Sequence, residues 1–199
     1  MVLTLYGGAR TRASIPRWYL EEKGIAYNWR QLDMETGEHK KESFCAINPF
    51  SKLPALEDES FIDPAGGPLR LFESGAILLH LAEHHGGELS GPPELAAVRR
   101  AKLTQWLLFA NATLAVALFV PSNRERELPR LMDVLDCLLA GGQPLVGEQW
   151  GAADCAVQAY LAYLPIFFPQ IDLEPWPGVR AVIASAQANP AYQRATGSR

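Results

Sequence analysis

The sequence predicts two halves of different class: an α/β half over residues 1–85, in the order β-α-β-α-β-β-α, and an all-helical half over residues 94–199. Three observations carry this reading. Short β-rich runs alternate with helical periodicity only in the first half. The stretch Gly86 to Pro93 (GGELSGPP) has linker composition, and strand signals vanish beyond it. Pro54 sits inside a strand signal, where proline removes a ladder donor and is confined to edges, bulges or special geometries such as a cis bond.

Val2 to Tyr6 reads as the first strand, ended by Gly7-Gly8. After the loop Ala9 to Ser14, a helix starting between Arg12 and Ser14 carries Ile15, Trp18, Tyr19 and Leu20 on or near one face. Pro16 fits its first turn, and Gly24 is a natural stop. Ile25 to Leu32 reads as a second strand, followed by a polar stretch with a short helix after Gly37. A third strand opens at Leu53-Pro54 and ends near Leu56. An acidic hairpin, Glu57 to Pro68, leads to a fourth strand, Leu69 to Phe72. Glu73-Ser74-Gly75 then opens a helix with Ile77, Leu78 and Leu81 as its apolar positions. In the second half, helices are expected over Glu94 to Val120, Leu128 to Leu139, Ala152 to Phe168 and Val179 to Ala188.

The 199 residues carry 18 cationic and 22 acidic side chains, a net charge of −4 without a basic run, which argues against a nucleic-acid surface. The three cysteines, Cys45, Cys137 and Cys155, are scattered and form no CxxC, which fits a reducing, cytoplasmic setting and no disulfide framework. No leader pattern is expected, and the apolar runs read as too interrupted to span a bilayer. The four histidines show no metal spacing, so no metal is expected. His84 and His85 read as partners of a helix C-terminus.

Two features point to chemistry. A proline at position 54 leaves the main chain of its neighbour Leu53 free to pair with an extended peptide. Glu73-Ser74 lies at a helix start, where orphan amides and the dipole attract anions, although Ser74 alone also reads as a simple cap.

The stretches NPFSKLPAL and LFESGAILLHLAE, in this order and near-family spacing, resemble the glutathione-binding half of the cytosolic glutathione transferases. The resemblance implies a thioredoxin-like domain over residues 1–85 and a helical domain over 94–199 that contributes an electrophile pocket. It implies that glutathione is held by Lys52, by Leu53 with Pro54, and by Glu73 with Ser74. Glutathione is then a co-substrate, no separate cofactor is needed, and the chain is a homodimer. One departure is visible: the hairpin Asp58 to Pro68 is several residues longer than usual.

Members of this family place a Tyr, Ser or Cys beside the glutathione sulfur. The loop Gly7 to Ser14 has no Tyr or Cys, and LYGGARTRASIPRWYLEE resembles the cyanobacterial chi-like transferases, in which the arginine matching Arg10 is implicated. A free thiol titrates near ~8.5, and lowering that by two units needs about 2.7 kcal/mol. One charge-assisted hydrogen bond of ~1.5–3 kcal/mol supplies most of it. Arg10 is therefore the expected catalytic residue, with Thr11 as alternative donor. Ser14 is a further donor or a cap, and Arg12 reads either as a donor or as a cation for a substrate carboxylate. Trp106, Phe109, Thr113 and Phe119 are the positional candidates for an electrophile pocket. His39 and Lys40 read as an exposed face or as neighbours of the glycine carboxylate. Asp154 reads as structural, in a capping segment whose usual Ser/Thr is Gly151.

The expected activity is conjugation of glutathione to hydrophobic electrophiles, with isothiocyanates favoured and aryl halides or peroxides as weaker substrates. A non-catalytic interaction module and a thiol-disulfide oxidoreductase are the rivals; the latter is disfavoured by the cysteine-free loop.

Overall fold

The structure, a computed structural model, describes residues 2–197. Strands β1 (Leu3–Gly7), β2 (Asn28–Gln31), β3 (Ala55–Ile62) and β4 (Pro68–Phe72) form one sheet of order β2-β1-β3-β4. β1 runs parallel to β2, and β3 is antiparallel to both β1 and β4. Alternation along β1 sorts its side chains. Leu3 and Leu5 join the core, whereas Tyr6 turns to the opposite face and meets Phe44 of α2 (Glu42–Cys45) with ring centroids 5.8 Å apart. Helices α1 (Ser14–Lys23) and α3 (Ser74–His84) close the core side. This is the expected thioredoxin-like arrangement, and Leu53–Pro54 is a cis peptide.

The acidic hairpin is shorter than the sequence suggests because β3 continues to Ile62 through a register shift after Asp58. Asp58 is consequently not a loop residue but is fully buried. Its Oδ2 accepts from His80 Nε2 at 2.8 Å and His85 Nε2 at 2.7 Å, and its Oδ1 from the Ser60 amide at 2.8 Å. His85 is thus a partner of a carboxylate 27 residues away rather than of its own helix end. Burial alone would raise the Asp58 carboxyl; the imidazole and Ser60 hydrogen bonds outweigh it and hold it at about 2. His80 is shifted down by burial, against the pull of Asp58, so the resting pair is a neutral imidazole beside a carboxylate.

Beyond residue 92 every regular element among the described residues is helical. The helix α4 (Pro93–Leu108) passes into a wide π-helical turn, Phe109–Leu114, and on into α5 (Ala115–Phe119). By length and composition alone this 27-residue run, of mean hydropathy 1.3 in its most apolar window, is long and apolar enough to cross a membrane, contrary to the sequence expectation. Leu103, Leu107, Ala110 and Leu114 nevertheless face inward, into the core where α4 packs on α8 (Ala152–Ala162). Pro121 opens α6 (Pro121–Arg126), and α7 (Leu128–Leu139) follows. The expected helix Ala152 to Phe168 is divided: α8 stops at Ala162, and α9 (Leu164–Phe167) restarts with Pro165 in its first turn. α10 (Pro177–Ala188) is followed by an unexpected α11 (Pro190–Thr196). Asn189 caps α11, its side chain accepting from the Ala191 and Tyr192 amides at 2.7 and 3.1 Å. α1 packs against both α8 and α11, so the two halves share one core.

The start of α8 shows how they are joined. Gly151 has no side chain to cap the helix, and Glu88 from the connecting segment does so instead, accepting from the Ala152 amide at 3.0 Å. The same carboxylate accepts from the Tyr19 hydroxyl at 2.6 Å. A Cβ on residue 151 would lie 2.4 Å from Glu88 Oε2, so any larger residue there must displace the Glu88 carboxylate. Asp154 completes the cap, accepting from the Gly151 amide at 3.0 Å and the Leu145 amide at 3.0 Å.

Candidate functional site

Asn48, 2% exposed, builds the turn that carries Lys52. Its Oδ1 accepts from the Phe50 amide at 3.0 Å and its Nδ2 donates to the Lys52 carbonyl at 2.7 Å. Ser51 sits at φ 55°, in the left-handed region, as the turn tightens. The exposed Lys52 side chain and the half-buried Leu53 follow, and then the buried Pro54. Among the described residues the Leu53 amide and carbonyl bond to no other main-chain group. Glu73 is exposed and held at φ 69°, ψ 122°, a strained backbone for a residue with a Cβ.

The Ser74 side chain does not act as the simple cap its position suggests, for no side chain caps α3. It is buried, and its Oγ donates to Asn111 Oδ1 at 2.9 Å. Asn111 lies in the wide turn, also accepts from the Tyr160 hydroxyl at 3.0 Å, and donates to the Leu107 carbonyl at 2.9 Å. What Ser74 can offer a ligand is its amide, one of the orphan donors at the start of α3.

Across from this turn lies the loop before α1. Leu53 Cδ1 approaches Gly8 so closely that a Cβ there would sit 3.1 Å away. Thr11 stabilises the loop: its hydroxyl donates to the Gly8 carbonyl at 2.9 Å and accepts from the Gly8 and Ala13 amides at 3.3 and 3.4 Å. Its single donor is therefore spent. Arg10 is exposed at φ 55° and, among the described residues, has no ion-pair or hydrogen-bond partner. Ser14 shares a 2.9 Å hydrogen bond with the Tyr163 hydroxyl. Tyr6 is committed elsewhere, its hydroxyl donating to Glu57 at 2.5 Å, and burial with that bond raises its pKa to about 12.

Arg10, Thr11, Arg12 and Ser14 open onto a cavity of about 560 Å³ whose far wall is helical. Phe119 lines it as expected, but Trp106, Phe109 and Thr113 do not. Trp106 and Phe109 instead pack edge-on against each other, ring centroids 5.5 Å apart, on the side of the core, and Thr113 is exposed. Tyr163, Phe167 and Tyr192, from α8–α9 and α11, supply the rest of the aromatic wall. Arg12 lies 5.6 Å from the Tyr160 ring centroid and 6.0 Å from that of Phe119. His39 is buried rather than on an exposed face, and Lys40 is exposed. None of Cys45, Cys137 and Cys155 lines the cavity.

A thioredoxin-like sheet with a cis-proline edge, joined to a helical domain across an aromatic cavity, defines a class of glutathione-dependent folds, and sequence comparison agrees. Residues 1–83 match the model for the glutathione S-transferase N-terminal domain. The disulfide-bond oxidoreductase YfcG of Escherichia coli K12 is 33% identical over 196 residues, covering 89% of this chain and 86% of that protein. Glutathione S-transferase 3 of Zea mays is 31% identical, covering 88% and 84%. A Pseudomonas putida glutathione transferase solved with one glutathione disulfide per subunit superposes with a TM-score of 0.76 at 28% identity, over 98% of this chain and 90% of that one. A Pseudomonas fluorescens family member with two glutathiones bound gives 0.75 at 28% identity, over 98% and 92%. The chain belongs to the glutathione S-transferase family.

Proposed function

We propose that the protein binds glutathione along Lys52, Leu53, Pro54, Glu73 and Ser74 and uses Arg10 to keep the sulfur as thiolate for attack on an electrophile. One observation carries this reading: Arg10 stands in a loop pinned by Thr11, whose Gly8 lies against Leu53, and no carboxylate competes for its guanidinium among the described residues. An unpaired guanidinium offers several donors and a fixed charge, both of which favour the thiolate. Leu53 supplies an unpaired main-chain edge for the tripeptide, and the Ser74 amide at the start of α3 receives the γ-glutamyl carboxylate. Thr11 orders the loop rather than touching sulfur. Isothiocyanates, whose central carbon accepts a thiolate without a leaving group, are the favoured substrates, with aryl halides and peroxides behind. The loop's likeness to the chi-like transferases supports the same assignment, and a cytoplasmic homodimer fits the family habit and the unpaired cysteines.

A second reading has a specific support: a relative aligned over most of the chain is named a disulfide-bond oxidoreductase. No protein cysteine is needed for that chemistry. A bound glutathione thiolate attacks a disulfide and releases one thiolate. A second glutathione then resolves the mixed disulfide to glutathione disulfide and the second thiol.

Conjugation of glutathione to phenethyl isothiocyanate and reduction of 2-hydroxyethyl disulfide, each with glutathione affinity by calorimetry, decide among these. Arg10→Ala is expected to lower kcat/KM by about 10–100-fold, the loss of one charge-assisted hydrogen bond to the thiolate, while glutathione affinity changes less than about threefold. Equal losses in affinity and turnover would assign Arg10 to binding alone. Wild-type protein that binds glutathione but turns over neither substrate would be a non-catalytic module.

A further inference from the structure

Net charge is distributed unevenly over this molecule. The chain as a whole carries −4, yet three arginines, Arg10, Arg12 and Arg17, line the aromatic cavity, and no Asp or Glu lines it among the described residues. Arg17 is partly committed. Its Nε donates to the Tyr27 hydroxyl at 3.1 Å, and Tyr27 in turn donates to Glu21. Arg12 is exposed on the cavity side and has no ion pair among the described residues, only the Phe119 and Tyr160 ring faces. Tyr192, 3% exposed, also lines the cavity, and its hydroxyl is without a hydrogen-bond partner among the described residues. A cavity for purely apolar electrophiles has no use for unpaired cations, which cost desolvation as the cavity fills. Cations set against aromatic walls suit a flat ligand with one anionic end.

We infer that the preferred co-substrate is an aromatic electrophile carrying a carboxylate or sulfonate, with Arg12 as the anion-binding residue of the cavity. The inference rests on the assignment of Arg10 and the Leu53 edge to glutathione, which leaves Arg12 for the second substrate. The aromatic body stacks among Phe119, Tyr163 and Phe167, its electrophilic carbon turned to the thiolate. With an isothiocyanate the thiolate adds to the N=C=S carbon; the C–S bond forms, the C=N π bond opens, and the nitrogen takes a proton from water to give the dithiocarbamate. Arg12 touches only the anion and takes no part in bond making.

The test compares 4-(isothiocyanatomethyl)benzoate with its methyl ester, each rate divided by its uncatalysed rate with glutathione. The methylene insulates the reacting carbon from the change of charge. The wild type is expected to favour the acid by about tenfold in kcat/KM, the contribution of one charge-assisted pair in a half-open site. Arg12→Gln is expected to bring the acid-to-ester ratio close to one, and Arg12→Lys to restore part of it. A wild-type ratio of one or below, or a ratio unmoved in Arg12→Gln, overturns the inference. Equilibrium dialysis of unreactive naphthalene-2-sulfonate against naphthalene-2-sulfonamide separates this from failure of the transferase reading. Sulfonate preference that disappears in Arg12→Gln upholds the anion site even without turnover, and equal binding of the two overturns it.

Discussion

Asp58 and Glu88 are both acidic, both withdrawn from solvent and both satisfied by several donors, yet they tie different things together. Asp58 binds the middle of β3 to the end of α3 and so closes the N-terminal domain on itself, through two imidazoles. Glu88 binds α1 to the first turn of α8, across the two domains, through a phenol and a backbone amide. The donors make the difference. Imidazole protonation changes near neutral pH, whereas an amide has no proton to exchange in that range and burial raises the Tyr19 phenol well above its ordinary value. The tie within a domain therefore depends on the protonation of His80, and the tie between domains has no imidazole donor.

The largest effect is expected from cutting the interdomain tie. Glu88→Ala leaves the Tyr19 hydroxyl and the Ala152 amide unpaired at the junction, a loss of about 3–5 kcal/mol, read from the urea midpoint. It should also separate one cooperative transition into two, visible as a mismatch between tryptophan fluorescence and far-UV circular dichroism; a single unshifted transition would show that Glu88 does not couple the domains. Gly151→Ala attacks the same junction by sterics alone. It is expected to cost about 1–3 kcal/mol, because the added methyl displaces the Glu88 carboxylate from its approach to the helix start.

Acidification should expose the other carboxylate. His80 binds a proton less readily folded than unfolded, so its contribution is complete above ~6.5 and is lost as pH falls below that value, by at most about 1.4 kcal/mol per pH unit. Asp58, held at about 2, adds a second loss only between ~3.9 and about 2. Thermal melts at pH 7 and pH 5 should therefore differ in the wild type and differ less in His80→Gln, where the amide can still donate to Asp58. An unchanged difference would remove His80 from the account.

What was legible in the sequence was local. The Asn48–Lys52 turn, the Leu53–Pro54 edge and the Glu73-Ser74 helix start each lie within five residues of chain, so their residue types alone specify the conformation. Both carboxylate hubs were hidden because, apart from the Ser60 amide two residues beyond Asp58, their partners lie 22 to 69 residues away. Arg12 was legible as a donor or as a cation for a substrate carboxylate, and Phe119 as a pocket residue, but the rest of the wall was not, since Tyr163 and Tyr192 reach the cavity from the α8–α9 junction and from α11. α11 did carry a signal, an Asn-Pro pair at 189–190 that serves as cap and first helical residue, and reading it would have supplied the last wall. Thr11 and Ser74 show the complementary difficulty. Both hydroxyls stand at suitable positions in the chain, and only three-dimensional neighbours reveal that their donors are already spent.

The wide turn at Phe109–Leu114, which carries Asn111 to Ser74 and Tyr160, has a consequence for comparing sequences. Such a turn holds one residue more than the α-helix on either side of it. An alignment with a relative whose helix lacks it must therefore open a one-residue gap between positions 109 and 114. Without that gap every later position, Phe119 included, is matched about 100° around the helix from its true counterpart, and a cavity-lining residue is scored against a solvent-facing one.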